Sequence, residues 1–244
     1  MECHESLNCQ DCAVRNGSLF AGLTPDELAQ LNACRSVQHY KKRQRVFTRG
    51  ELASGVHCVH RGKLRLFNVN ESGREQTIRL VAEGGVMGTE SLLTEKTYTV
   101  SAETLEPAEV CFLEKKSFFE LLERSPHLAR RLLQSLASEI QAQEETISAF
   151  SQKNVRQRVA QTLLALNERF GNQAPSGSRL HIPLKREEIA TLSGTVLESA
   201  VRCLSEFRDD GFIDLVGREI YVVAADKLQG IADGRSVGAL PRRA

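Results

Sequence analysis

The 244-residue chain lacks the sequence features of membrane and secreted proteins. It has no apolar run near the length of about 18 residues from which a membrane-spanning helix is predicted. Its N-terminus, MECHESLNCQDC, has neither the basic region nor the apolar core of a secretory signal. The seven cysteines are an odd number, and three fall within the first twelve residues, so a secreted disulfide framework does not fit. We therefore expect a cytoplasmic protein, with no membrane partner, whose cysteines are reduced thiols or metal ligands.

Catalytic signatures are also missing. The sequence contains no P-loop, GxSxG or HExxH motif, and no GxGxxG between a strand and a helix. Gly84 and Gly85 fit a corner between strands instead. With 41% hydrophobic and 26% charged residues, the chain is long enough for two globular domains. An enzyme is therefore only a remote alternative.

Two short helices joined by a glycine turn are predicted over Arg186–Phe207, which reads REEIATLSGTVLESAVRCLSEF. Gly194 permits the backbone of the turn. Apolar residues of the second helix recur at intervals of three and four, so one face packs inward. That face comprises Ala200, Cys203, Leu204 and Phe207. The pattern is typical of a helix-turn-helix, whose second helix enters the major groove of DNA.

The first two turns of this second helix carry the candidate DNA-reading residues. Glu198 can accept a hydrogen bond from a cytosine amino group, Arg202 can bind guanine bidentately, and Val201 can touch only a thymine methyl. The alternative is that Glu198 and Arg202 form a surface ion pair on an ordinary helix. The full set of predicted DNA contacts is Lys185, Arg186, Leu197, Glu198, Ser199, Val201 and Arg202.

The sequence after this helix predicts a wing. Gly211–Val223 reads as two short strands around Gly217 and Arg218. Between Lys153 and Cys203 there are eight Lys or Arg against four Glu, although the whole chain has a net charge of only +1. A basic region in a near-neutral chain is expected when one domain binds phosphate and the other does not.

In the N-terminal half the apolar residues follow a different spacing, which indicates strands more than helices. Thr24, Pro25 and Glu27 form a helix start signal. Beyond it, short strands with glycine corners indicate a β-roll. The predicted strands include Gly55–Gly62, Lys63–Val69, Thr77–Val81 and Val110–Leu113. Cys34, in a linker, and Cys58, in a strand, are interpreted as ordinary buried thiols.

A coiled-coil seam is predicted on the helical segment Ser125–Phe150. Six residues follow a 3,4,3,4,3 spacing: Leu133, Leu136, Ile140, Gln143, Ile147 and Phe150. A second copy of the chain is the expected partner, and Gln143 lowers the stability of the dimer while helping its register. The alternative is that the seam packs against the β-roll of the same chain.

Together these parts, over roughly residues 9–228, resemble the CRP/FNR superfamily of bacterial transcription regulators. Segments similar to its oxygen-responsive FNR branch are Asn8–Cys12, Thr104–Cys111, Ser138–Ile140, and Gly194 with Glu198 and Arg202. The resemblance implies an α+β fold with five parts. These are a cysteine-bearing segment over 1–22, a cyclic-nucleotide-binding-like β-roll over 23–124, a dimerisation helix over 125–152, a winged helix-turn-helix over 153–228 and a loose tail over 229–244. Within the fourth, the helix Val155–Phe170 is followed by a loop, Gly171–Ser178.

In the FNR branch, three N-terminal cysteines and one in the β-roll bind an oxygen-labile [4Fe-4S] cluster, whose loss weakens the dimer and its DNA binding. The resemblance assigns Cys9 and Cys12 to the CxxC pair and Cys111 to the distant ligand. Ser18 stands where the third N-terminal cysteine is expected, and Cys3 is the predicted replacement. A zinc site, a dithiol switch and no chemistry at all remain alternatives for these cysteines.

The resemblance also implies the partners. It predicts a palindromic, TTGAT-like DNA site, altered where Val201 replaces a serine of the family, and a contact with RNA polymerase around Glu83–Glu90. Other members bind cyclic AMP through an arginine and a neighbouring hydroxyl. Here Lys96 stands at the position of that arginine, beside Thr97, so cyclic AMP is not expected. The alternative function is a cluster-free regulator controlled by thiol redox or by a small ligand.

Overall fold

The computed structural model of the chain describes residues 8–71, 73–174, 177–180, 184–217 and 219–238. The predicted ligand Cys3, the wing residue Arg218 and residues 239–244 lie outside the described residues. The contacts divide the chain into two compact units, one of Met1–Asn68 with Arg79–Gln141 and the other of Val69–Ile78 with Ala142–Ala244. Among the described helices, none combines the length and the apolar character that a membrane crossing requires.

Two four-stranded sheets form the predicted β-roll. One has the strand order β1-β8-β3-β6 and the other β2-β7-β4-β5. The strands are β1 (Arg35–Tyr40), β2 (Arg45–Phe47), β3 (Gly55–Arg61), β4 (Leu64–Val69), β5 (Glu75–Val81), β6 (Val86–Met87), β7 (Ser101–Thr104) and β8 (Ala108–Glu114). Each of the four strands predicted from the sequence is present, and the roll is confirmed.

Helices flank these strands in the sequence. They are a 3-10 helix (Arg15–Gly17), α1 (Pro25–Cys34), α2 (Thr89–Leu93), α3 (Lys115–Arg124) and α4 (Pro126–Gln152). Helix α1 begins with the predicted capping box, in which the Glu27 amide donates to Thr24 Oγ1 (3.3 Å) and the Thr24 amide donates to Glu27 Oε2 (2.7 Å). The placement of Cys34 in a linker was wrong, because it is the last residue of α1.

One apolar core holds the roll together. Leu64, Met87 and Val110 from the strands are fully buried, as are Phe118 of α3 and Leu128 of α4. Because α3 and the start of α4 contribute to the same core, the helices and the sheets form a single hydrophobic unit.

Helix α4 runs without a break to Gln152, where the sequence placed the domain boundary. The compact units nevertheless divide within α4, between Gln141 and Ala142.

The second half contains α5 (Val155–Phe170), β9 (Gly171–Ala174), β10 (Gly177–Leu180), α6 (Arg186–Leu192), α7 (Leu197–Asp209), β11 (Ile213–Val216), β12 (Glu219–Val222) and α8 (Ala225–Ala232). Its sheet has the order β11-β12-β10-β9. Val159 and Leu163 of α5 pack in its interior, as do Leu204 and Phe207 of α7.

Two predictions for this half were wrong. The segment Gly171–Ser178 is not a loop, because β9 and β10 pair with each other and β10 pairs with the wing strand β12. The tail does not begin at residue 229, because α8 continues to Ala232 and buries Leu228 and Ile231. In both cases a partner distant in sequence stabilises a segment whose local composition favours a loop.

Candidate nucleic-acid interface and metal centre

The turn between α6 and α7 depends on Gly194. Its φ is +60°, in the left-handed region that favours glycine. A Cβ at this position would also lie 2.1 Å from Cε1 of Phe150, which is too close for any side chain. The turn is closed by the Thr195 amide, which donates to the carbonyl of Ala190 (2.9 Å). The backbone conformation therefore favours glycine, and a larger residue would also displace the Phe150 ring.

Helix α7 has the two faces that the sequence predicted. Its inner face is buried and consists of Ala200, Cys203, Leu204 and Phe207. Glu198, Val201 and Arg202 are exposed on the opposite face, and Ser199 is half-buried. Among the ion pairs of the described residues, none joins Glu198 to Arg202. Both side chains therefore remain available to a ligand, and the ion-pair alternative gains no support.

Leu197 and Val201 add apolar surface to the exposed face of α7. Their exposed fractions are 40% and 41%, and the neighbouring Val196 reaches 65%. Valine at position 201 can contact the methyl group of thymine but donates no hydrogen bond to a base.

The other two predicted DNA contacts lie at the start of α6. Lys185 is exposed immediately before the helix, and Arg186, its first residue, is half-buried. The Lys185 amide donates to Glu188 Oε2 (2.6 Å), which closes the helix N-terminus.

The sequence analysis missed Arg158 of α5, whose guanidinium supports the turn. It donates to the carbonyl of Ser193 through Nε (3.0 Å) and to the carbonyl of Gly194 through Nη2 (3.0 Å). A third bond runs from Nη1 to the carbonyl of Lys153 (2.7 Å), and the guanidinium lies 5.6 Å from the ring centroid of Phe150. Only arginine has a planar guanidinium whose donors can bind several carbonyls at once. The residue type was therefore the one sequence signal for this role.

The basic surface is smaller than the count of Lys and Arg indicated. Arg156 forms ion pairs with Glu206 (2.5 Å) and Asp210 (2.7 Å), and its guanidinium lies 5.0 Å from the ring centroid of Phe207. Arg158 is occupied by backbone carbonyls. Both arginines therefore hold the unit together instead of presenting charge to phosphate.

The wing is formed by the antiparallel pair β11 and β12, with Gly217 at φ +61° in its turn. The predicted hairpin is thus present.

A second site, the cysteine cavity, lies in the β-roll unit. It has a volume of about 490 Å³, including the space open to solvent. Its lining contains four cysteines, two cations and a histidine: Cys9, Cys12, Cys58, Cys111, Arg15, Arg35 and His60. Three of the four predicted cluster ligands are therefore brought together, although Cys9 and Cys12 lie about 100 residues before Cys111 in the sequence. Cys58, which was interpreted as an ordinary buried thiol, joins them.

The N-terminal segment is held against the roll by polar contacts. Asn32 of α1 accepts a hydrogen bond from the Cys9 amide (2.8 Å), and Arg15 Nη1 donates to the Cys9 carbonyl (3.0 Å). Arg35 Nε donates to the same Asn32 side chain (3.3 Å), while its Nη1 lies 4.0 Å from the Cys111 sulfur. This network links the CxxC segment to the strand that carries Cys111.

Burial favours the neutral form of these thiols. It raises the pKa of Cys111 to about 11, with Arg35 opposing the shift, and it raises the pKa of Cys58 further. It also raises the pKa of Cys9. A free thiol with so high a pKa reacts slowly at neutral pH, whereas binding of a metal centre displaces its proton.

The cavity offers thiol donors, which both zinc and iron–sulfur clusters bind as thiolates. Zinc requires its thiolate donors at about 2.3 Å from one point. Within the described part of the chain, no three His, Cys, Asp or Glu side chains converge in that way. A four-iron cluster needs four thiolate ligands around a larger body, and the cavity is lined by four cysteines.

The predicted seam on α4 is mostly exposed. Leu133, Ile140, Ile147 and Phe150 have exposed fractions of 68%, 57%, 65% and 47%. Leu136 differs, because it is half-buried and packs against the core of the roll. The intramolecular alternative therefore holds for Leu136, and Phe150 is partly covered by Gly194 and Arg158. Leu133, Ile140 and Ile147 are each more than half exposed in the described chain.

Comparisons with known proteins agree with this architecture. Residues 37–125 match the model of the cyclic nucleotide-binding domain, and residues 157–231 match that of the Crp-like helix-turn-helix domain. The transcriptional activator protein Anr of Pseudomonas aeruginosa is 28% identical over 232 residues, covering 95% of each chain. FnrL of Cereibacter sphaeroides, also a transcriptional activator protein, is 29% identical over 238 residues, covering 96% of this chain and 95% of its own.

Solved structures share the fold. FixK2 from Bradyrhizobium japonicum has a TM-score of 0.72 at 23% identity, covering 84% of this chain and 99% of its own. The regulator CLP of Xanthomonas campestris has a TM-score of 0.70 at 21% identity, covering 82% and 99%.

Proposed function

Because the chain belongs to the CRP/FNR family of DNA-binding transcription regulators, we propose that it is a homodimeric regulator that senses oxygen through an iron–sulfur cluster. The convergence of Cys9, Cys12 and Cys111 in one cavity carries the proposal. The names of relatives support it, since one from Haemophilus influenzae, 26% identical, is called an anaerobic regulatory protein. The relatives are regulators, not enzymes.

The residues of the cysteine cavity fit a [4Fe-4S] cluster. When bound, such a cluster supplies a centre that oxygen destroys. Cys9, Cys12 and Cys111 would provide thiolate ligands, and Arg15 and Arg35 would offset their negative charge. Arg35 lies near enough to Cys111 to hydrogen-bond its sulfur, a contact that tunes such centres.

Loss of the cluster would release the CxxC segment, because the bonds from Cys9 and Cys12 to the cluster would be broken. The contacts of Cys9 with Asn32 and Arg15 are few, and Cys12 contacts the roll through His60 Nδ1, 3.5 Å from its sulfur. A segment held by few contacts is stabilised strongly by each additional ligand bond. We infer that cluster binding orders this segment and that the order favours the dimer.

The exposed seam of α4 supports the homodimer. Leu133, Ile140 and Ile147 recur every seven residues, which is the repeat of a coiled coil. A row of exposed large apolar side chains on a long helix is the usual mark of a partner helix.

The exposed face of α7 supports sequence-specific DNA binding. Two copies of the chain would place two α7 helices on half-sites related by two-fold symmetry. We infer a palindromic, TTGAT-like site in which Glu198 and Arg202 read a G·C pair. Val201 alters the preference at the position that it faces.

Activation would require contact with RNA polymerase in the cytoplasm. The predicted contact segment Glu83–Glu90 includes β6 and the start of α2. Cyclic AMP is not part of the proposal, because Lys96 replaces the arginine that the family uses for its phosphate.

Anaerobic purification with iron and sulfide analysis tests the proposal. The native chain is expected to contain about four iron atoms per subunit, with visible absorbance that air bleaches, and to bind DNA more tightly before exposure to air. Cys9→Ala is expected to lose the iron, the absorbance and the oxygen response of DNA binding. A colourless native chain that binds DNA equally with and without air would refute oxygen sensing by a cluster and favour control by thiols or a small ligand.

A further inference from the structure

We propose that Cys58 supplies the fourth thiolate of the cysteine cavity, so that the ligand set is Cys9, Cys12, Cys58 and Cys111 instead of one that includes Cys3. The inference rests on the proposed function, since it names a ligand for the same cluster.

The register of the sheet places Cys58 beside Cys111. Strands β3 and β8 are antiparallel, and Cys58 lies directly opposite Cys111 in their pairing. Residues opposite each other have Cβ atoms about 4.5–5.5 Å apart on the same face of the sheet. Both residues line the cavity. The sheet therefore presents two sulfurs side by side, and folding of the roll fixes their spacing.

Alternation along β3 gives Cys58 its direction. Val56 and Cys58 are two positions apart in the regularly paired part of β3, so they share one face, and both line the cavity. His60, at the irregularity between Val59 and Arg61, also lines the cavity. His60 Nδ1 lies 3.5 Å from the sulfur of Cys12, which locates the CxxC segment over this face. Two sulfurs thus come from the segment and two from the sheet beneath it.

Ser18, at the family's third N-terminal position, does not compete for the site. It is 3% exposed, and its Oγ donates to the Arg15 carbonyl (2.8 Å) and accepts from the Phe20 amide (3.1 Å). The hydroxyl closes a local turn, so the position serves the backbone. In this proposal the thiolate of Cys58 replaces the ligand that the family has at the position of Ser18.

Single cysteine variants distinguish Cys58 from Cys3. Cys58→Ser, Cys3→Ser and Cys34→Ser are purified without oxygen and analysed for iron, sulfide and visible absorbance. Cys34 is the matched control, because it is half-buried and packs against the same core but does not line the cavity. We expect Cys58→Ser to lose the cluster to the extent that Cys9→Ala does, while Cys3→Ser and Cys34→Ser retain it.

Differential alkylation of the native chain gives an answer that does not depend on the folding of a variant. The cluster-loaded protein is treated with light iodoacetamide, then denatured and treated with a heavy form, and peptides are analysed by mass spectrometry. We expect the light label on Cys3 with no change in the cluster absorbance. Cys58 is expected to take the heavy label in the cluster-loaded protein and the light label once chelation has removed the cluster from the native chain.

The outcomes separate the two proposals. If the native chain and Cys58→Ser both hold the cluster, or if Cys3 is protected until the cluster is removed, Cys58 is not the ligand and oxygen sensing stands. If the native chain holds no iron, both proposals are wrong. Circular dichroism shows whether each variant keeps the secondary structure of the native chain. If a variant loses iron because it is unfolded, the alkylation of the native chain decides which cysteine is the ligand.

Discussion

Arg202 and Arg158 belong to the same unit and carry the same charge, yet their surroundings differ. Arg202 is exposed on α7, whereas Arg158 donates to three carbonyls around the helix-turn-helix. An exposed guanidinium at the front of a recognition helix can bind guanine bidentately. Arg158 uses three of its five N–H donors on backbone carbonyls, which hold its guanidinium at the turn.

Replacement of Arg202 tests base reading. Arg202→Ala is expected to weaken binding to the specific site by about 1–3 kcal/mol and to remove the preference for G·C at one position of each half-site. Titration with duplexes in which that base pair is varied measures both effects. Arg208→Ala is the control, because Arg208 lies on the same helix but pairs with Asp209. An equal loss on every sequence would show that Arg202 contacts phosphate.

Glu103 is a buried carboxylate on strand β7 of the roll. Its carboxylate accepts from Arg65 Nε (3.0 Å) and Nη2 (2.8 Å) and from Arg43 Nη1 (3.2 Å). Burial disfavours the charged form, but the two arginines outweigh it, and the pKa of Glu103 is lowered from 4.5. A carboxylate with a lowered pKa stabilises the fold above its unfolded pKa, and this stabilisation is lost as the pH falls through the folded pKa.

Glu103→Gln is therefore expected to lower the free energy of unfolding by about 3 kcal/mol at neutral pH, because Arg65 remains buried opposite an uncharged group. The difference from the native chain should narrow as the pH falls below 4.5 and the native carboxyl becomes protonated. Urea denaturation of both chains, from neutral pH to below 4.5, measures this difference in the free energy of unfolding. Glu106→Gln is the control, since the pair with Lys63 is more exposed and is expected to contribute under about 1 kcal/mol. If the difference in the free energy of unfolding stayed constant with pH, the charge of Glu103 would be excluded as its cause.

At the scale of elements, α5 supports the helix that reads DNA. Arg158 binds the carbonyls of the turn, and Phe150, at the end of α4, lies against Gly194. The orientation of α7 is thus fixed by side chains from two helices that precede it.

Arg158→Lys tests this support. Lysine keeps the charge but lacks the fork, so most of the three hydrogen bonds to carbonyls are lost. DNA affinity is expected to fall about tenfold, which equals about 1.4 kcal/mol, on specific and altered sites alike. Arg169→Lys, an exposed change in the last turn of α5, should leave the affinity unchanged. A loss confined to the specific site would mean that Arg158 itself reads a base.

For the whole molecule, the proposed function couples dimerisation to DNA binding by mass action. A regulator whose two recognition helices bind one palindrome gains affinity when its dimer is stabilised. Gln143 is the polar interruption in the otherwise apolar seam of α4, and in the proposed dimer it would lower the stability of the interface.

Gln143→Leu is expected to tighten the dimer and to raise the DNA affinity of the cluster-free chain, while Ile140→Glu does the reverse. Sedimentation equilibrium and DNA titration of the same samples measure the two quantities. Gln141→Leu adds an equal apolar side chain away from the seam and serves as the control. A tighter dimer with unchanged DNA affinity would contradict the coupling.

The sequence by itself determined the elements whose signals are local. The capping box at Thr24, the required glycine at 194 and the inner face of α7 depend on residues a few positions apart, and each was predicted correctly. Such features are decided by helix geometry and turn chemistry, which act over short stretches of chain.

Only the tertiary structure decided which distant groups meet. The pairing of β3 with β8 places Cys58 opposite Cys111, and no spacing along the chain reveals that register. The same holds for β10, which pairs with the distant strand β12 and in turn with β9, and for Arg158, whose carbonyl partners at Ser193 and Gly194 lie more than thirty residues away. Hydrophobic burial selects the fold as a whole, and the neighbours of each polar group follow from that selection.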